Sequence, residues 1–171
     1  MTRKLIVIAA VLALVSTAAF AQSQRTDFDF VKQAIQSFSL DSVGHTPIQA
    51  DSMDPYYRFF PAIRGGKVVG YLWWARDFKV AQHTEDLMLL VGDENGKATL
   101  VDFWISHNEH HANLGEAASH KKFEGMTATS SWSDPADVVS GSTLSSYRIF
   151  AEAKPTLFVF QTYVIEKNLV K

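Results

Sequence analysis

The chain has 171 residues, 16 Lys and Arg against 18 Asp and Glu, 47% apolar residues and no cysteine. This length suits one ordinary domain rather than two sizeable ones, and the slightly acidic balance argues against nucleic acid or anionic lipid as the main partner. Without cysteine the protein has no disulfide framework, no cysteine for lipid attachment and no thiolate metal or iron–sulfur site.

At the start, Thr2-Arg3-Lys4 forms a short basic stretch, residues 5–15 an apolar core, and Ala19-Phe20-Ala21 a small-x-small cleavage site. Together these predict a secretory signal peptide over 1–21 and a mature domain over 22–171 in the periplasm. The apolar run is shorter than the ~20 residues of a spanning helix, which favours cleavage after Ala21 and a product that is not an integral membrane protein; the alternative is an uncleaved signal anchor. Loss of Arg3 and Lys4 leaves 14 basic residues against 18 acidic ones, 14 − 18 = −4.

Residues 27–38 place Phe28, Val31, Ile35 and Phe38 at helical spacing, with Asp27 and Asp29 near the positive end of the dipole. Residues 39–55 mix Ser, Gly, Pro and Asp without a period and read as loop. Two runs rich in aromatic and β-branched residues, 57–63 and 67–75, flank Gly65-Gly66 and predict a hairpin. On its second arm Trp73 and Trp74 must point to opposite faces. A second hairpin runs over 86–106 with Asn95-Gly96 at its turn. Strict alternation would put Leu100, Asp102, Trp104 and Ser106 on one face and Thr99, Val101, Phe103 and Ile105 on the other. Beyond it come a histidine-rich loop over 107–115, a short helix over 115–123, a polar loop over 127–135 and a helix over 145–153. Pro155 is expected to end or kink that helix, and the apolar stretch 157–165 suits a buried helix or a strand, with the helix favoured. The fold class that follows is α+β: a largely antiparallel twisted sheet of two hairpins with packed helices, in a single compact domain.

The chemistry concentrates in Asp137-Val138-Val139-Ser140-Gly141-Ser142-Thr143, followed by Leu144-Ser145-Ser146. Hydroxyl donors crowd around Gly141, which lets backbone N–H groups approach an anion closely. A helix starting just beyond would aim its free N–H groups and positive dipole end at a phosphate carried there. The plainer alternative is that Ser140 or Thr143 simply caps the helix.

This string resembles the D-x-x-[ST]-G-A-T motif of the FMN-binding domain family, in which the final threonine carries FMN through a phosphoester. The loop His107-Asn108-Glu109 through Leu114-Gly115, arriving straight after a strand, is similar to the family's H-x-E-T-P-G-L-G turn, in the same order and at similar spacing, so the resemblance covers about 70–153. It departs from the pattern at Ser142, where alanine is usual, and in His110-His111-Ala112-Asn113, one residue longer than the family's turn. The resemblance implies covalent FMN on Thr143, attached by an exported flavin transferase using FAD. It further implies that Asp137, Ser140, Gly141, Ser142 and Ser145 position the phosphate, and that His107, Glu109, Leu114 and Gly115 border the ring. Trp104, just before that loop, is the expected aromatic neighbour. The domain would then be an electron-transfer flavoprotein module rather than a stand-alone catalyst, similar to the FMN-carrying periplasmic subunit of sodium-pumping NADH:quinone reductases. Its redox partner would be periplasmic or membrane-bound.

Two other readings stand beside it: a reversible carrier or sensor of FMN or another phosphate ligand, and a cofactor-free interaction module. His107, Glu109, His110 and His111 have the chemistry of metal ligands, yet in a solvated loop such residues seldom converge on one ion, so no metal is assigned. No G-x-S-x-G elbow supports a hydrolase.

Overall fold

Two glycine-bearing turns set the sheet. Gly65 and Gly66 have φ of 59° and 70°, and Asn95 and Gly96 of 56° and 82°. Paired positive φ values twist the turn to match the strands it joins. Asp41 Oδ2 accepts from Gly65 N at 2.6 Å and Asp93 Oδ1 from Gly96 N at 2.7 Å, fastening each turn. The computed structural model, which describes residues 27–49, 54–80, 83–106, 112–131 and 143–170, contains five strands. These are β1 (Ser42–Val43), β2 (Phe60–Arg64), β3 (Lys67–Val80), β4 (His83–Glu94) and β5 (Lys97–Ile105). They form one antiparallel meander in sequence order. The helices are α1 (Asp27–Ser37), α2 (Ala117–Phe123) and α3 (Thr143–Phe160). The whole is one compact α+β domain, as the pattern of apolar residues and turns implied.

Three local expectations are corrected. Residues 39–55 are not all loop: Ser42 and Val43 pair with Ile63 and Ala62, and Ile48 bridges Phe59. A two-residue strand is too short to leave a period in the sequence. In β5 the strict alternation fails, because Leu90 pairs with Asp102 while the next residue, Val91, pairs with Leu100. Val101 is therefore the extra residue of a bulge, which shifts the phase and puts Leu100 in the same cluster as Phe103 and Ile105. Lastly, α3 does not stop at Pro155 but runs through it to Phe160. Pro155 is exposed, so the carbonyl it leaves without a helical donor lies toward solvent, while the buried stripe of Ile149, Ala153, Leu157 and Phe160 continues past it.

The sheet has a helix on each face. One core cluster joins Phe30 and Ala34 of α1, and Phe38 just beyond it, to Ala62, Leu72, Met88 and Leu90. The other joins α3, and Phe123 of α2, to Trp73, Leu87, Leu89, Leu100 and Phe103. Trp73 and Trp74 fall in opposite clusters, as neighbours on a strand must.

Past Phe160, α3 widens into a π-helical turn over Gln161–Ile165. The Gln161 side chain accepts from Ala98 N at 2.8 Å and donates to Gly96 O at 3.2 Å. That pins the C-terminal end of α3 beside the Asn95–Gly96 turn. At about 1.5 Å per residue, α3 is roughly as long as β5 at about 3.3 Å per residue. The helix therefore runs back from that turn across the sheet face, with Glu152 beside Tyr56 and Tyr57.

Candidate functional site

Thr143 is the first residue of α3. Its position leaves the backbone N–H groups of the first turn without helical acceptors, and an 18-residue helix adds a full dipole behind them. Two hydroxyl side chains follow inside the protein: Ser145 is 3% exposed and Ser146 fully buried. Ser146 Oγ has no hydrogen-bond partner among the described residues. A buried hydroxyl in that state costs about 1–3 kcal/mol, so the first turns of α3 hold polar capacity that packing does not use.

At the end of the sheet where β4 begins and β5 finishes, β4 carries a buried carboxylate. Glu85 is 3% exposed and shares a strand face with Leu87, Leu89 and Val91, all of which belong to the α3-side core. The Ser106 hydroxyl donates to Glu85 Oε2 at 2.5 Å and accepts from Asp86 N at 2.9 Å. Ser106 N in turn donates to Asp86 O at 2.8 Å. The last residue before the histidine-rich loop is thus locked to the buried acid. Sequence reading missed Glu85, although the alternation Glu85, Leu87, Leu89, Val91 places an acid on an apolar face.

The expected site residues divide among the elements. Leu114, in a 3-10 turn over Ala112–Gly115, is fully buried in the α3-side core, and the adjoining Gly115 is exposed. Trp104 is half-buried and packs with the α1-side cluster, opposite the side on which α3 lies. It pairs with Met88 across the strands, a member of that cluster. Trp73 lies on the α3 side, with Tyr56 and Tyr57 at ring distances of 5.4 and 6.0 Å. Asp137, Ser140, Gly141, Ser142, His107 and Glu109 lie outside the described residues, as do His110 and His111.

Two further groups border α3 and α2. Burial, then the Glu152 carboxylate of α3 and neighbouring Tyr57, push the Tyr56 phenol up to about 12, and Tyr57 is raised by burial, Glu152 and Asp54. His120 of α2 stacks on Phe103 at 4.4 Å with its Nδ1 2.6 Å from Asp102 Oδ1, which ties α2 to β5. Among the described residues no three His, Asp or Glu side chains gather to hold a metal ion, and no helix is long and apolar enough to cross a membrane. No protein-family model matches the chain, and no curated protein or solved structure matches it either.

Proposed function

We propose that the mature protein is an exported flavoprotein that carries FMN on Thr143 and relays electrons between redox partners. The observation that carries this reading is the start of α3: a threonine at the head of a long helix, with the unpartnered hydroxyl of Ser146 buried within its first turns. Since no family model matches, the resemblance to the FMN-binding domain family rests on its motifs alone.

Attachment would break the phosphoanhydride bond of FAD and form a phosphoester on the threonine. The Thr143 oxygen bonds to the FMN phosphorus of FAD, AMP leaves, and the threonine proton goes to solvent or to a base of the transferase. The first-turn N–H groups of α3 would hold the phosphate oxygens, and its dipole would favour their charge. Flavin, when bound, supplies reversible electron transfer, leaving the protein to bind, orient and tune it. Ser145 and Ser146 supply hydroxyls beside that phosphate. Trp104, packed on the α1 side, is withdrawn as the ring's neighbour. A covalent bond keeps the cofactor where released FMN would be lost by dilution.

The test is co-expression with an exported FAD-dependent flavin transferase. Wild type is expected to stay yellow after unfolding and gel filtration in denaturant, and Thr143→Ala to lose its colour. Flavin that washes out of the wild type would favour the reversible carrier. Protein that never takes up flavin would favour the interaction module.

A further inference from the structure

The opposite end of the sheet, at the Asn95–Gly96 turn, holds a groove of about 670 Å3. Its shape comes from irregularities in the strands. Gly70 and Gly92 leave neighbouring positions of β3 and β4 without side chains. The close approach is needed, since a Cβ on Gly70 would meet Val91 O at 2.8 Å and one on Gly92 would meet Val101 Cγ2 at 2.9 Å. Two bulges flank them. Ala62 pairs with Gly70 and Ile63 with Val68, leaving Val69 as the extra residue of one, and Val101 is the extra residue of the other. Both bulged valines line the groove together with Val68, and all three are open to solvent, at 37%, 38% and 48% exposure respectively. Bulges recur beside binding sites because they re-aim side chains. Here both of them turn an apolar side chain toward one concavity instead of into the core.

Among the described residues that line the groove the charges have one sign. Its ionisable lining residues besides Tyr71 are the carboxylates Asp93, Glu94 and Glu124, with no Lys, Arg or His among them. Lys97 pairs with Glu94 across the turn but does not line the groove. Burial and the Asp93 carboxylate raise the pKa of Tyr71, a sign that the acid's field reaches the groove wall. The lining is thus divided between apolar side chains and acidic ones, in an open groove large enough for a small molecule.

We propose that this groove binds a small organic cation, an amine carried on an apolar body. The valines and the glycine-floored strands would take the apolar part, and Glu124 and Asp93 the ammonium. This site is separate from the α3 N-terminus, so it stands or falls apart from the flavin reading.

The experiment titrates isotope-labelled mature protein with phenylbutylamine, phenylbutanol and phenylbutyrate, following amide NMR shifts. The amine is expected to give saturable shifts centred on Gly70, Gly92 and Val101. The alcohol should bind roughly fivefold more weakly, about what one exposed ion pair contributes, and the carboxylate more weakly still. Glu124→Gln should weaken the amine and leave the alcohol unchanged. Val101→Lys, at an exposed position, should abolish amine binding with the circular dichroism of the fold retained. The proposal is overturned if the carboxylate binds as well as the amine, if the shifts centre elsewhere, or if Glu124→Gln leaves the preference intact. Concentration-dependent shifts at the same amides without any amine would also overturn it, by assigning the groove to self-association.

Discussion

The sheet buries one face against α1 and the other against α3, and the two are packed with different materials. On the α1 side Trp74 stacks between Phe30 and Phe60 at 5.5 and 4.6 Å, while the guanidinium of Arg76 sits 4.7 Å from the Phe30 ring and that of Arg58 6.0 Å from Phe60. On the α3 side a larger core is joined by buried Glu85, Ser145, Ser146 and Thr156. Thr156 is satisfied, donating to Glu152 O at 2.7 Å. The contrast teaches that buried polar groups are carried on the α3 side, where Ser146 in the first turns of the helix is the one left without a partner among the described residues.

Substitutions on the two faces should therefore differ in size and kind. Phe160 is fully buried against Phe59 and Tyr71, at 4.9 and 5.4 Å. Phe160→Ala should cost about 3–5 kcal/mol in urea unfolding. Trp74→Ala removes a half-buried ring from the other face and should cost roughly 2 kcal/mol. Equal losses would mean that α1 holds the fold as firmly as α3 does.

A smaller effect of opposite sign sharpens the contrast. Ser146→Ala deletes a buried hydroxyl that no described residue satisfies, so the cofactor-free protein should become more stable by roughly 1 kcal/mol. A loss of stability would show that the hydroxyl is satisfied after all, and the α3 end would be no more polar in its needs than the α1 face.

The smallest effect is confined to alkaline pH. Because the Tyr56 phenol is raised to about 12, the folded protein favours its neutral form. The stability linked to that preference is fully present below the unfolded tyrosine value of about 10 and is lost as pH rises toward 12. Glu152→Gln removes one of the causes, after burial the largest, and should move the phenolate absorbance of Tyr56 and Tyr57 to lower pH. An unmoved titration would place Glu152 away from the tyrosines.

Much of this was legible in the residues. Gly65-Gly66 and Asn95-Gly96 announced their turns because few other residues tolerate paired positive φ. Adjacent Trp73 and Trp74 had to divide between the faces. The bulge at Val101 was not legible, since a valine suits either phase of a strand, and it moved Leu100 to the opposite face from the one alternation gave. Nor did Pro155 betray that it stands on the exposed side of α3, where a missing donor is cheap. Trp104 looked like a cofactor neighbour from its place before His107, but facing direction depends on strand phase and on which helix covers which side. The start of α3 at Thr143, by contrast, falls within two residues of the helix start read from the sequence.

The attachment of flavin at Thr143 is tested most directly by peptide mass mapping of protein co-expressed with an FAD-dependent flavin transferase and then denatured. The account predicts one modified tryptic peptide, 123–148, heavier by one FMN less one water, with fragment ions that localise the added mass to Thr143. An unmodified peptide, or flavin localised to Ser140, Ser142 or Ser145, would contradict it.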